Sequence, residues 1–160
     1  MRFLLLDRIY DINLGQSIKG VKCWSLTDEI FLDHFPGFPI VPGVLLIESM
    51  AQLSGLLIEE SAEPENENGK RDIFGILSIV HNAKFHKFVV PGDKCEIEAT
   101  LTVLDTLRAA TQVETRVDGE LVAKAELSFI ITRVNDSQRQ FAPRREEYIH
   151  ILKQDHSRKK

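Results

Sequence analysis

Two kinds of hydrophobic pattern run along this chain: strict alternation in several stretches, and one long segment that is apolar nearly all round. In residues 94 to 104, KCEIEATLTVL, Cys95, Ile97, Ala99, Leu101 and Val103 alternate with Glu96, Glu98, Thr100 and Thr102. A period of two is that of a strand with one buried face. Residues 108 to 117 and 120 to 132 predict a further strand pair joined by Asp118-Gly119, a turn that requires positive φ and suits a tight hairpin. IFGILSIVHNAKF, residues 73 to 85, predicts a long strand, with Gly75 as the expected bulge. Near the start, FLLLDRIYDI (3 to 12) and QSIKGVKCWSL (16 to 26) read as two more strands around a turn near Asn13 and Gly15.

Between these strands lies HFPGFPIVPGV, residues 34 to 44, running directly into an apolar stretch that ends at Ile58. Pro36, Pro39 and Pro42 each fix φ and disfavour helix at the residue before, so 35 to 41 is expected to be extended or turned. Pro42 suits the first helical turn, which puts Gly43 at the second position. From Val44 to Ile58 the only polar side chains are Glu48, Ser49, Gln52 and Ser54, the mark of a buried helix. At about 25 Å it is too short and too polar to span a bilayer. Residues 27 to 33 read as a turn in which Phe31 and Leu32 anchor the loop that carries His34. SAEPENENGKR, 61 to 71, reads as a surface loop. A helix that needs cover on every side, beside a mainly antiparallel sheet, predicts an α+β fold with the sheet wrapped around the helix.

A length of 160 residues, 43% of them hydrophobic, allows one core-bearing domain. We place it at 1–134, followed by a polar basic tail at 135–160 in which Tyr148, Ile149 and Ile151 suggest a short helix. The net charge of −4 speaks against general nucleic-acid binding. Arg139, Arg144, Arg145, Lys153, Arg158, Lys159 and Lys160 crowd the tail; a solvated tail and a docking surface for an acidic partner both fit. Cys23 and Cys95 match no metal spacing and read as reduced thiols, with a disulfide between them the lesser alternative. Phe3 to Leu6 is too short for a secretory signal, so the expected location is cytoplasmic, with no membrane insertion.

The candidate chemistry sits in the central segment. His34 is held on a rigid Pro-Gly loop, although structural histidines are common. Glu48 is the stronger signal, because a carboxylate in LLIESMAQLSGLLI is costly to bury unpaired. Either it pairs with Gln52, four residues on and on the same stripe, or its raised proton affinity serves as a general acid. The Gly43 amide, at a helix N-terminus, has no intrahelical partner and could hold an oxyanion, or Pro-Gly merely makes the turn into the helix. His81 and His86, beside Lys84 and Lys87, read as strand-surface residues. No metal pattern, phosphate loop, nucleophile elbow or dinucleotide fingerprint is present.

The string HFPGFPIVPGVLLIESMAQ resembles the signature of the (3R)-3-hydroxyacyl-acyl carrier protein dehydratases of fatty-acid synthesis, the FabZ type. FLLLDR, KFHKFVVPGD (84 to 93) and DGELVAKAEL (118 to 127) extend the resemblance over roughly residues 3 to 132. It implies the hot-dog fold, an antiparallel sheet around a long central helix, and dimers joined sheet edge to sheet edge, often as trimers of dimers. It also implies loss of water from a 3-hydroxyacyl thioester borne by acyl carrier protein, with no cofactor and no metal. By the match, His34 and Glu48 are the catalytic pair, contributed to one site by different subunits. Gly43 holds the thioester carbonyl and Gln52 orients the carboxyl. An apolar tunnel along the helix would be lined by Val44, Leu45 and Phe35, and the acidic carrier would dock on Lys84 and Lys87 or on the tail arginines. The chain departs from the pattern at Phe38 and Phe88, where a polar residue and a proline are frequent, and in a tail longer than usual. The same chemistry in a specialised lipid or polyene pathway is one alternative. A hot-dog thioesterase, an isomerising dehydratase (whose relatives usually carry Asp where Glu48 stands) and a non-enzymatic acyl-binding module are others.

Overall fold

The computed structural model describes residues 3–62, 73–133 and 142–154, with side chains of the last segment described from 147 onward. Six strands form one antiparallel sheet: β1 (Arg8–Asn13), β2 (Ser17–Cys23), β3 (Ile73–Phe85), β4 (Lys94–Leu104), β5 (Arg108–Val117) and β6 (Glu120–Arg133). Their spatial order is β1-β2-β4-β5-β6-β3. Helix α1 (Ile30–Asp33) is a single turn, α2 (Gly43–Ala62) is the long helix, and α3 (Ala142–Lys153) follows the sheet. Along its twenty residues, roughly 30 Å, α2 lies against β2 to β6. Leu46, Met50, Leu53, Leu57 and Ile58 meet Ile18, Ile97, Ala99, Val113, Leu127 and Phe129, all buried. The sheet is thus wrapped around the helix, as the pattern of residues requires.

Local signals placed β3 to β6 within a residue of their predicted ends, and Asp118 and Gly119 adopt φ of 50° and 82°. In β5, Ala109, Thr111, Val113 and Thr115 are buried while Gln112, Glu114 and Arg116 are exposed. Thr111 Oγ1 donates to Ser54 Oγ at 2.9 Å, which satisfies two hydroxyls inside the core.

Elsewhere the structure corrects the pattern. Val103 is exposed, not inward-facing, because the β4–β5 register shifts between Leu101 and Val103, and one residue of slip turns side chains to the other face. Gly75 pairs regularly with Ile131, and the irregularities of β3 fall at Leu77/Ile79 and His81/Lys84. The first strand begins only at Arg8; Phe3 to Leu6 run unpaired in the sheet and cross α2 instead. Residues 30 to 33 are a helical turn, and of the two expected anchors Phe31 is buried while Leu32 is exposed. The expected loop at 61 to 71 lies, beyond Ala62, outside the described residues.

Helix α3 packs by Leu152, which is 1% exposed, whereas Ile151 faces solvent. Its tyrosine, Tyr148, donates from its hydroxyl to the Leu6 carbonyl at 2.8 Å. Lys153 pairs with Glu60 of α2 at 2.8 Å. Of the basic tail, the side chains of Arg139, Arg144, Arg145, Arg158, Lys159 and Lys160 lie outside the described residues.

Candidate active site

His34 caps α1, its amide donating to the Ile30 carbonyl at 3.1 Å. The ring Nδ1 lies 3.0 Å from the Ile40 carbonyl oxygen, and the Ile40 amide returns a bond to the His34 carbonyl at 3.0 Å. A carbonyl oxygen only accepts, so Nδ1 carries a hydrogen, and in the neutral ring Nε2 keeps its lone pair. The loop is closed by paired bonds between Phe35 and Phe38 at 3.0 and 2.9 Å, with Gly37 at φ 77°. The Phe35 ring stacks on His34 at 4.1 Å between centroids. Val41 ties this loop to the Val89 carbonyl at 2.8 Å.

The helix begins at Gly43, one residue later than Pro42 was expected to start it, and the Pro42 carbonyl accepts from Leu45 at 2.9 Å. Close packing explains glycine here: a Cβ would lie 2.8 Å from Phe85 Cζ and 3.0 Å from Cε1 and Cε2. The N-terminal turn of α2 is not covered on every side as an all-apolar helix would require, since Val44 is 70% exposed.

Glu48 is half-buried and not enclosed in the core. Gln52 Nε2 donates to its Oε1 at 2.9 Å. Gln52 is in turn held by the N-terminal segment, its Oε1 accepting from the Leu5 amide at 2.9 Å and its Nε2 donating to the Phe3 carbonyl at 3.3 Å. Both side chains border a cleft of about 720 Å³, within the range of small-molecule sites. Leu4, Leu56, Leu77, Phe129 and Ile149 give it apolar walls.

The structure therefore brings Glu48 and Gln52 together, and it leaves His34, Phe35, Gly43 and Val44 off the walls of their cleft within one chain. The local pattern does not reveal that the backbone of residues 3 to 6 orients Gln52, nor that Tyr148 and Ile149 border the cleft. Four consecutive apolar residues without alternation were the signal that Phe3 to Leu6 is not a half-buried strand. Lys87 pairs with Glu120, and His81 and His86 are exposed. Among the described residues no His, Cys, Asp and Glu cluster could hold a metal, and no helix is long and apolar enough to cross a membrane.

Comparison with solved structures defines the architecture as a hot-dog fold. A dehydratase heterocomplex, ApeI:P from Xenorhabdus doucetiae, matches with a TM-score of 0.65 at 16% identity, covering 87% of this chain and 88% of that one. A hot-dog-like protein from Thermanaerovibrio acidaminovorans matches with a TM-score of 0.62 at 14% identity, covering 83% and 93%. The sequence model of the FabA-like domain matches residues 1–126. The 3-hydroxyacyl-[acyl-carrier-protein] dehydratase FabZ of Aliarcobacter butzleri is 41% identical over 128 residues, 80% of this chain and 86% of that protein. FabZ proteins of Nitratiruptor sp. and Listeria monocytogenes are 38% and 35% identical, each covering 81% of this chain and 87% and 86% of theirs. The chain belongs to the FabA-like dehydratase family, on its FabZ side.

Proposed function

We propose that the chain removes water from a (3R)-3-hydroxyacyl thioester on acyl carrier protein, giving the trans-2-enoyl thioester, in fatty-acid synthesis within the cytoplasm. The observation that carries the reading is the bond from His34 Nδ1 to the Ile40 carbonyl. It leaves Nε2 as a base of fixed direction in a chain whose relatives are dehydratases. Nε2 takes the proton from the carbon next to the thioester carbonyl, and charge moves onto the carbonyl oxygen. The Gly43 amide, at the positive end of α2, stabilises that charge; one such donor is worth about 2.7–4 kcal/mol of barrier. Glu48, oriented by Gln52, gives its proton to the departing hydroxyl as the C–O bond breaks, and water leaves. A proton then passes back from imidazolium to carboxylate through solvent.

The two groups are assigned to one site built by two subunits. Support comes from β3, an edge strand that exposes Ile76, Ile79 and Val80, an apolar edge suited to a second copy of the chain. The test is complementation between two inactive variants. His34→Ala and Glu48→Gln are each expected to lose dehydration of 3-hydroxyacyl carrier protein, followed by enoyl absorbance. After the two are dissociated and re-associated together, half the dimers are mixed and each has one intact site, so about a quarter of wild-type activity returns. Normal turnover by either folded variant refutes its role. Mixed dimers without recovered activity refute the shared site.

A further inference from the structure

We propose that helix α3 is a wall of the acyl chamber, and that Ile149 and Tyr148 set the length of chain the chamber accepts. The inference rests on the dehydratase reading above and adds a specificity element to it. Ile149 and Tyr148 border the cleft that holds Glu48 and Gln52. The rest of that cleft is built by the N-terminal segment, α2, β3 and β6. Helix α3 lies beyond residues 1–126, where the family match ends. The matched region thus supplies the carboxyl and most of the lining, while Phe129 of β6 and, from α3, Tyr148 and Ile149 complete the cleft from beyond it.

The helix is fastened firmly enough to act as a wall. Leu152 is buried, Lys153 bridges to Glu60 (whose side chain is 8% exposed), and Tyr148 is tied to the Leu6 carbonyl. That last bond matters because the neighbouring Leu5 amide orients Gln52, so α3 braces the segment that aims Glu48. The surface it adds is chemically suited to hydrocarbon: Ile149 joins Leu56, Leu77 and Phe129 around the cleft. A side chain removed there lengthens the apolar channel, and one enlarged there shortens it.

The test compares kcat/KM for short, medium and long 3-hydroxyacyl carrier protein in wild type, Ile149→Ala and Ile149→Trp. Calorimetric titration with saturated acyl pantetheines of the same lengths, which have no hydroxyl to lose, gives a second readout. Ile149→Ala is expected to raise the long-to-short ratio by about fourfold per methylene newly housed, each worth ~0.8 kcal/mol. Ile149→Trp is expected to lower it. Leu152→Ala, which loosens α3 from the core without itself lining the cleft, should flatten the length profile, because the wall is no longer held in place. Tyr148→Phe keeps the ring and the length profile while releasing Leu6, so its loss should fall on kcat. Ile149→Val provides a milder change in the same direction should the larger ones unfold the helix. Unchanged length profiles in both readouts for all Ile149 variants overturn the proposal. If wild type dehydrates no thioester but acyl binding still shifts with Ile149, the dehydratase reading falls and the wall stands.

Discussion

Replacing Gln52 with leucine isolates the network that orients Glu48. Leucine has similar volume but neither donor nor acceptor, so three contacts disappear together: to Glu48 Oε1 at 2.9 Å, from the Leu5 amide at 2.9 Å and to the Phe3 carbonyl at 3.3 Å. The part-buried Leu5 amide is left without an acceptor, which costs about 1–3 kcal/mol. The long bond to Phe3 is the weakest of the three. The net expectation is a loss of about 1–3 kcal/mol in stability. For a chain of this length that corresponds to a Tm lowered by about 2–12 °C. Activity should suffer separately, because an untethered carboxyl is misplaced in the transition state more than in substrate binding; kcat falls about tenfold or more and KM changes little. Thermal unfolding by circular dichroism, at fixed protein concentration because association shifts Tm, and steady-state dehydration measure the two effects. A variant with wild-type Tm and wild-type kcat refutes the network as a determinant of either.

Two further outcomes concern the core. Gly20→Ala places a Cβ 2.9 Å from the Arg8 carbonyl oxygen and 2.9 Å from Leu53 Cδ1; the backbone cannot swing aside, so the cost is about 1–3 kcal/mol. A urea midpoint equal to wild type refutes this. Burial pushes the Cys95 thiol from 9.0 up to about 12, while Cys23 is exposed. Iodoacetamide at mildly alkaline pH should label one thiol in the native protein and two in urea. Because the folded value lies above the unfolded one, the contribution of Cys95 to stability is complete below pH 9.0 and is lost as pH rises towards about 12. Cys95→Ala should remove its share of that slope, and an unchanged slope refutes the assignment.

What the amino-acid sequence determined by itself was whatever depends on near neighbours. Alternation at Cys95, Ile97 and Ala99 defines a face before any partner is known, and Asp118-Gly119 makes a hairpin by backbone preference alone. Pro42-Gly43 ahead of a long, mostly apolar run starts a helix wherever it sits. His34, Gly43, Glu48 and Gln52 could be named as candidates because they fall in one short segment of the chain, and of these only Glu48 and Gln52 border the cleft within one chain. Only the tertiary structure decided what happens between distant segments. Phe3 to Leu6 became a clamp on Gln52 and not a strand, because Leu5 finds its acceptor 47 residues away. Val103 turned outward because pairing with β5 slipped by one. Glu48 is half-buried beside a cleft whose wall includes Ile149, about a hundred residues further along the chain. Long-range packing chooses among partners that local preference leaves equivalent, and that choice is not written in any single window of residues.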